Sequence, residues 1–178
     1  GSAGRLAPAL ADTALQDEFA AAGERVAALY EGRDLAGAMR EIMALTDRAN
    51  LYIDQQKPWL MAKDPARATA VQAVCTQGLN LFRVLAIYLK PVMPRLAAGA
   101  EKFLGLPSQA WTDAATPLLD TAINAYEPLA TRVDPAAVKA DEITVPVQVN
   151  GKVRDRITVP ADADDEAVKA AALASENV

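Results

Sequence analysis

The residues best suited to chemistry in this chain are an aromatic ring and two cations beside Pro58. Trp59 follows Lys57-Pro58, and Lys63 comes four residues after it. Proline disfavours the helical conformation of the residue before it, so a preceding helix should end near Gln56 or Lys57. A flat apolar ring with positive charge nearby suits an unstacked nucleotide base. A core or capping aromatic residue is the alternative at this position.

The sequence contains few residues that could form a catalytic site, a metal site or a disulfide. The chain has no histidine and one cysteine, Cys75, so it lacks the commonest general base and cannot form an internal disulfide. That cysteine usage fits a reducing, cytoplasmic location. We find no glycine-rich phosphate loop and no residue set for covalent or acid–base catalysis. We therefore expect no catalytic residues, no metal and no cofactor.

A cluster of acidic residues and a cluster of basic residues lie near the C-terminus, and each has its own interpretation. Four acidic residues, Asp162, Asp164, Asp165 and Glu166, lack the spacing of a calcium loop, and helix capping explains them. Lys152, Arg154 and Arg156 alternate along a predicted strand, so they should share one face. That face is either solvated or in contact with phosphates.

The overall charge argues against a DNA-coating protein but leaves room for a local basic surface. The net charge is −5 over 178 residues, whereas such proteins are basic. Residues 141–178 hold eight acidic and four basic side chains, while the first 140 residues are nearly neutral with 15 and 14. No uninterrupted apolar run approaches the ~18 residues that span a bilayer, so we expect no membrane partner.

The elements around Trp59 are predicted to be helices. The first covers 13–31 with Thr13 as its cap, the second begins after Asp34, and the third runs from Asp64-Pro65 to about Lys90. Apolar residues at steps of three and four form a continuous stripe on the second helix. That stripe comprises Leu35, Met39, Ile42, Leu45, Ala49 and Ile53.

The third helix is apolar on two faces, which indicates the centre of a bundle and places Cys75 inside it. Pro91 and Pro94 should end this helix and begin a short one through Phe103. Residues 105–138 should form short pieces, with Trp111 and Tyr126 packed against the bundle.

The pattern changes near residue 141. Residues 142–149 and 152–159 alternate apolar and polar side chains around Asn150-Gly151, which is a strong hairpin signal. A final helix follows the acidic group, with Val168, Ala171 and Ala172 on one side. The fold class is therefore mainly α, a helical bundle of residues 4–138 with a small hairpin-and-helix appendage of residues 141–178. An appendage this short usually needs further contacts to be stable, so we expect it to dock on the bundle, to pair with another chain or to be part of a larger domain.

Several short sequence motifs resemble those of the anticodon-binding domain of bacterial methionyl-tRNA synthetases, a class I family. The resemblance covers about residues 4–138. The matching motifs are Ala36–Leu45, Ala49-Asn50, Pro58-Trp59, Ala62-Lys63, Gly78–Leu85 and Tyr88–Pro94.

This resemblance implies a helical bundle that binds the anticodon stem-loop of a tRNA and reads the anticodon CAU. It implies that Trp59 stacks on anticodon bases and that Pro58 fixes its loop. Asn50 falls on a motif position, as either a polar RNA contact or a structural hydrogen bond. Lys57 and Lys63 are candidate phosphate contacts by position and charge.

The resemblance covers the anticodon-binding domain and not the catalytic domain of the family. Neither the histidine-containing nucleotide signature nor the Lys-Met-Ser-Lys-Ser loop of the family is present, so we expect no ATP or zinc site. The helix that carries an Asn and an Arg for anticodon recognition in the family would precede residue 4. We expect self-association through the bundle face that this helix would cover.

The tail resembles a different synthetase. Residues 147–154, Ile157-Thr-Val-Pro160 and the helix after them are similar to the start of the C-terminal domain of leucyl-tRNA synthetase. This similarity implies tRNA backbone contacts for Lys152, Arg154 and Arg156. It also predicts a join near Val138–Asp141 and a chimeric chain.

Two functions follow as hypotheses. The first is a tRNA-binding module without a catalytic domain. The second is a non-catalytic scaffold or protein-interaction chain with no useful RNA binding. Exposure of Trp59 beside the lysines favours the first, and concentration-dependent association favours the second.

Overall fold

The computed structural model describes residues 4–130, 142–149 and 152–175, with Val149 described by its backbone alone. The chain divides into two compact units, Gly1–Ala130 and Thr131–Val178. The first is helical, and the second contains a two-stranded sheet and one helix. The mainly α fold class is thereby confirmed.

Helices α1 (Thr13–Glu31) and α2 (Leu35–Gln56) lie side by side. Thr13 was predicted as the cap of α1, but Asp12 is the cap, because its carboxylate accepts a hydrogen bond from the Leu15 N–H at 2.9 Å. Asp34 caps α2 as predicted, through the Gly37 N–H at 2.8 Å. The predicted α2 stripe enters the core at its middle positions, whereas Leu35 at its start is exposed.

Helix α2 is followed by the short helix α3 (Pro58–Met61), a 3-10 turn (Pro65–Arg67) and α4 (Ala68–Leu89). Helix α4 packs against α1, α2 and α5 (Pro94–Leu104), and Leu81, Val84 and Tyr88 on it are almost fully buried. The predicted central helix is therefore confirmed, although its first turn at Pro65 is 3-10 rather than α.

A polar row on α4 is also buried, which apolar periodicity does not predict. Asn80 bonds the backbone of Leu118 in both directions, at 2.9 and 2.6 Å. The Arg83 guanidinium donates to Gln109 Oε1 and to the carbonyls of Thr116 and Asp113. This row attaches the irregular segment after α5 to the bundle.

Three side chains in this unit test predictions of packing. Trp111 packs against the bundle as predicted, in a 3-10 turn (Trp111–Ala115) with its ring centroid 4.8 Å from that of Tyr88. Tyr126 packs against Phe103 of α5, with the two ring centroids 5.6 Å apart in an edge-to-face arrangement, but it is 66% exposed and lies at the surface of the unit. Cys75 is exposed rather than interior, because it lies on the outer side of α4 near its N-terminal end.

Among the described residues, the segment Pro65–Leu89 is long and apolar enough to cross a membrane. More than half of that segment is buried inside the bundle. Its hydropathy is that of a core helix.

The second unit contains β1 (Glu142–Val149) and β2 (Lys152–Pro160), paired antiparallel, and α6 (Asp165–Leu173). Asp164 caps α6 through the Ala167 N–H at 2.8 Å, as the acidic group predicts. Asp155 of β2 also bonds Ser175, just after α6. The Asn150-Gly151 turn and the join near Val138–Asp141 lie outside the described residues.

A bulge changes the predicted faces of β2. Val147 pairs with Asp155 but Gln148 pairs with Val153, so Arg154 is an extra residue in the strand. Because directly opposite residues share a face, the register puts Lys152 with Val149 and puts Arg156 with Pro146 on the other face. The prediction that Lys152, Arg154 and Arg156 share one face is therefore wrong, although all three are exposed.

Candidate nucleic-acid interface

The candidate site begins where α2 ends. The Lys57 N–H still donates to the Ile53 carbonyl at 2.9 Å, but Lys57 itself turns left-handed, with φ 50° and ψ 57°. Pro58 then begins α3 at a position where its missing N–H costs no hydrogen bond. The predicted helix end at Gln56 is confirmed, and the left-handed residue redirects the chain.

Helix α3 exposes two large apolar side chains. Met61 is buried in the core and fixes the turn, while Trp59 and Leu60 are 52% and 48% exposed. Successive helical residues point about 100° apart, so one buried anchor in a four-residue helix leaves its neighbours outside. The sequence singles out Trp59 but misses Leu60, whose exposure depends on Met61 taking the inward position.

Close packing holds the end of α2 in place. A side chain at Gly78 would place its Cβ 2.9 Å from Cδ1 of Ile53. The bare glycine on α4 therefore lets Ile53 pack onto it. Ile53 lies one turn before Lys57, so this contact sets the direction from which the chain enters α3.

The two tryptophans occupy contrasting environments. The Trp111 ring packs against Tyr88 and meets Tyr30 edge-on at 6.3 Å. Among the described residues, the Trp59 ring forms no such aromatic pair. Its exposed face is therefore open to a planar ligand, whereas the packing of Trp111 is structural.

The polar candidates on this unit are also exposed. Lys57 and Lys63 lie at the two ends of the α3 turn, and neither forms an ion pair with another described residue. Asn50 is exposed on α2, and its side chain bonds no other described residue. The alternative of a structural hydrogen bond for Asn50 therefore has no support in the described structure.

Helical turns connect these residues. The Leu60 N–H donates to the Lys57 carbonyl at 2.8 Å, and the Lys63 N–H donates to the Leu60 carbonyl at 3.2 Å. Lys57, Leu60 and Lys63 thus lie on consecutive turns, with Trp59 between the two cations. The structure places the three central predicted residues, Lys57, Trp59 and Lys63, within one short segment.

An open groove of ≈ 630 Å³ lies beside this segment. Ala62 and Pro65 line one side, and Val71 and Cys75 of α4 line the other. Partial burial raises the pKa of the Cys75 thiol, although the residue is exposed overall. Asp64, Thr69 and Gln72 also line the groove, so it offers both apolar and polar contacts.

No other kind of centre is evident in the described part of the chain. Within residues 4–130, 142–149 and 152–175, no group of three or more Asp, Glu or Cys side chains is arranged to hold a metal ion. The tail cations Lys152, Arg154 and Arg156 belong to the second unit and are described only within it.

About three quarters of the chain match a family of known proteins. Residues 3–133 match the family model of the anticodon binding domain of methionyl tRNA ligase. Methionine–tRNA ligase of Thiobacillus denitrificans is 50% identical over 137 residues, covering 77% of this chain and 20% of that protein. The corresponding ligase of Xanthomonas oryzae pv. oryzae is 49% identical over the same length. The chain spans about one fifth of the length of these relatives.

Solved structures show the same fold. The apo form of Mycobacterium tuberculosis methionyl-tRNA synthetase aligns with 74% of this chain and 28% of its own length, with a TM-score of 0.63 and 23% identity. The methionyl-adenylate complex of that enzyme gives a TM-score of 0.62. Since the family model covers most of the chain, the chain belongs to the family of anticodon-binding domains of methionyl-tRNA ligases.

Proposed function

We propose that this chain binds the anticodon stem-loop of methionine tRNA, reads the anticodon CAU, and acts as the non-catalytic, RNA-reading part of a methionine–tRNA ligase. The single observation that carries the proposal is the half-exposed Trp59 ring between two lysines that form no ion pair with any other described residue. Family membership supports the assignment to the anticodon region of the tRNA.

Each residue has a distinct part in this function. Trp59 supplies a stacking face for an unstacked base, and Leu60 extends the apolar contact beside it. Lys57 and Lys63 contact phosphates on either side of that base. Pro58 fixes the turn, and the Asn50 amide supplies a hydrogen bond that distinguishes one base edge from another.

The decisive experiment measures binding of a fluorescent anticodon stem-loop carrying CAU, with a loop altered at one base as the RNA control. We expect tighter binding of CAU at both ~50 and ~150 mM salt, with weaker binding of both RNAs at the higher salt. Equal affinity for the two loops, or no binding of either, would contradict the proposal.

Replacing Trp59 with alanine isolates the stacking contribution. Stacking of a base on an aromatic side chain contributes ~1–3 kcal/mol, so Trp59→Ala should weaken binding about 5- to 150-fold. Tyr126→Ala is the matched control, because it removes another exposed aromatic ring from the same unit. We expect this control to leave affinity unchanged.

The alternative function is a scaffold without useful RNA binding. Leu35 and Met43 on α2 are more than half exposed, which is an observation that favours protein contact. Sedimentation at increasing concentration tests it. Association of a chain that does not distinguish CAU from the altered loop would support the scaffold.

We also propose that Lys152, Arg154 and Arg156 contact tRNA backbone outside the anticodon loop, with the tail related to the C-terminal domain of leucyl-tRNA synthetase. Their exposure supports contact with a polyanion. Replacing all three with glutamine should weaken binding of full-length tRNA but not of the isolated stem-loop. An equal effect on both RNAs would contradict this role.

A further inference from the structure

Most cationic side chains of the helical unit are already engaged. Arg5, Arg25, Arg40, Arg48, Lys90 and Lys102 lie in ion pairs, and Arg83 is buried with hydrogen bonds. Within residues 4–130, five cations have no ion pair or side-chain hydrogen bond to another described residue: Arg33, Lys57, Lys63, Arg67 and Arg95. Three of these five fall within the eleven residues 57–67.

This segment is positive although the whole chain is negative. Its one acidic residue is Asp64, and the Asp64 carboxylate accepts the Ala66 N–H at 3.0 Å instead of pairing with Arg67. The segment 57–67 therefore carries a local excess of positive charge around Trp59, whereas the chain as a whole carries −5.

Arg67 lies one turn beyond Lys63. The Asp64 N–H donates to the Met61 carbonyl at 3.1 Å, and the Arg67 N–H donates to the Asp64 carbonyl at 3.0 Å. Consecutive hydrogen-bonded turns thus run from Lys57 to Arg67. The backbone of Asp64 is extended, with φ −106° and ψ 111°, so Arg67 follows Lys63 by four residues across a bend in the chain.

The position of residue 67 before α4 disfavours a cation. Arg67 immediately precedes α4, and a positive charge at a helix N-terminus opposes the helix dipole. By contrast, Lys57 at the C-terminal end of α2 has a favourable interaction with the dipole. Arg67 is exposed as well, so it contributes little to packing.

We propose that Arg67 is a further RNA-binding residue, whose guanidinium contacts a backbone phosphate next to the nucleotide that stacks on Trp59. A guanidinium suits this role, because it presents paired N–H donors to phosphate oxygens. The contact reads no base, so it adds affinity without adding sequence preference. This inference rests on the proposed anticodon-binding function.

The test compares wild type with Arg67→Gln in binding the CAU stem-loop and the altered loop over a range of salt concentrations. We expect roughly 2- to 5-fold weaker binding of both RNAs, the range of an exposed ion pair. The slope of log Kd against log salt should decrease by about 0.7, the value for one phosphate contact on a single strand. Arg67→Lys should retain most of the affinity.

Arg95→Gln is a matched control. Arg95 is also an exposed arginine, in the first turn of α5, that forms no ion pair with another described residue, and the substitution removes the same charge. We expect this variant to match wild type in affinity and in salt slope. If Arg67→Gln and Arg95→Gln weaken binding equally, the loss of affinity comes from the change in net charge, and the specific contact of Arg67 is overturned.

The outcomes separate the two proposals. If the wild type prefers CAU, and Trp59→Ala weakens binding but Arg67→Gln does not, then only the role of Arg67 is overturned. Wild type that binds both loops equally would overturn the anticodon-reading function, whereas wild type that binds neither RNA would overturn the Arg67 contact as well. A loss confined to the CAU loop would overturn a phosphate contact in favour of a base contact.

Discussion

At the scale of single residues, Lys57 serves two competing requirements. Its left-handed backbone, with φ 50°, is a conformation that costs a residue with a Cβ roughly 1–2 kcal/mol and costs glycine almost nothing. Glycine is accordingly the preferred residue at this point after a helix. The lysine charge interacts favourably with the α2 dipole and lies beside Trp59, and we expect these two effects to offset the strain.

Substitution at Lys57 separates these requirements. We expect Lys57→Gly to raise the free energy of unfolding by about 0.5–1 kcal/mol and to weaken RNA binding. Lys57→Ala is the control, because it removes the charge but keeps the strain. Urea unfolding and stem-loop titration measure both effects, and a glycine variant no more stable than the alanine variant would contradict the strain argument.

Tyr88 gives the protein a defined response to alkaline pH. Its hydroxyl donates to the Phe19 carbonyl at 2.9 Å, and burial raises its pKa to about 12. An unfolded tyrosine ionises near pH 10. Because the folded protein holds this proton more tightly, the stabilisation is complete below pH 10 and is lost as the pH rises towards 12.

We therefore expect the melting temperature of wild type to fall more steeply between pH 10 and 12 than that of Tyr88→Phe. Burial also raises the pKa of Tyr30 and Tyr52, so the variant should keep a smaller decline. Thermal unfolding followed by circular dichroism at pH 9, 10, 11 and 12 measures the difference. Parallel profiles for the two proteins would rule out Tyr88 as the main titrating group.

At the scale of elements, sequence signals specify the helices and their ends better than the attachments between them. Apolar spacing and proline positions locate α1, α2, α4 and α5, because each signal acts within one or two turns. The cap moves from Thr13 to Asp12, since both residues are good caps and only the observed hydrogen bond selects one. Local sequence alone could not choose between them.

Features that depend on contacts between residues far apart in the sequence were not predicted. The exposure of Cys75 depends on which side of α4 meets other helices. The bulge at Arg154 depends on how β1 pairs with β2, and a one-residue change in pairing reverses the faces. For the candidate site, motif and charge indicated Trp59 and its lysines, whereas the left-handed Lys57 and the exposed Leu60 emerge only from the packed structure.

The buried polar row of α4 leads to a prediction about an element junction. Asn80→Ala would leave the N–H and the carbonyl of Leu118 without their bonds from Asn80. Each unsatisfied buried group costs about 1–3 kcal/mol, so we expect a loss of roughly 2–4 kcal/mol in unfolding free energy. Urea unfolding measures it.

Asn50→Ala makes the same amide deletion at an exposed position of α2. We expect it to change stability by less than about 0.5 kcal/mol. Similar costs for the two variants would show that Asn80 does not join the segment after α5 to the bundle.

At the scale of the whole molecule, the two compact units differ in how much they bury. The helical unit has a core of many almost fully buried side chains, including Phe19, Val26 and Leu81. Among the described residues of the second unit, Val159 is the one buried hydrophobic side chain. A two-stranded sheet is marginal without further packing, so the second unit should have the lower stability.

Hydrogen exchange followed residue by residue tests this difference. We expect backbone amides in the middle of α4 to exchange only on global unfolding of the helical unit. The amides of β1 and β2 should exchange through opening reactions of lower free energy. Val159→Ala should accelerate exchange in the hairpin and leave α4 unchanged, because it removes that unit's buried side chain. Equal protection of the hairpin and α4 in the wild type would mean that the two units unfold as one, and that the hairpin derives its stability from contacts beyond its own strands and helix.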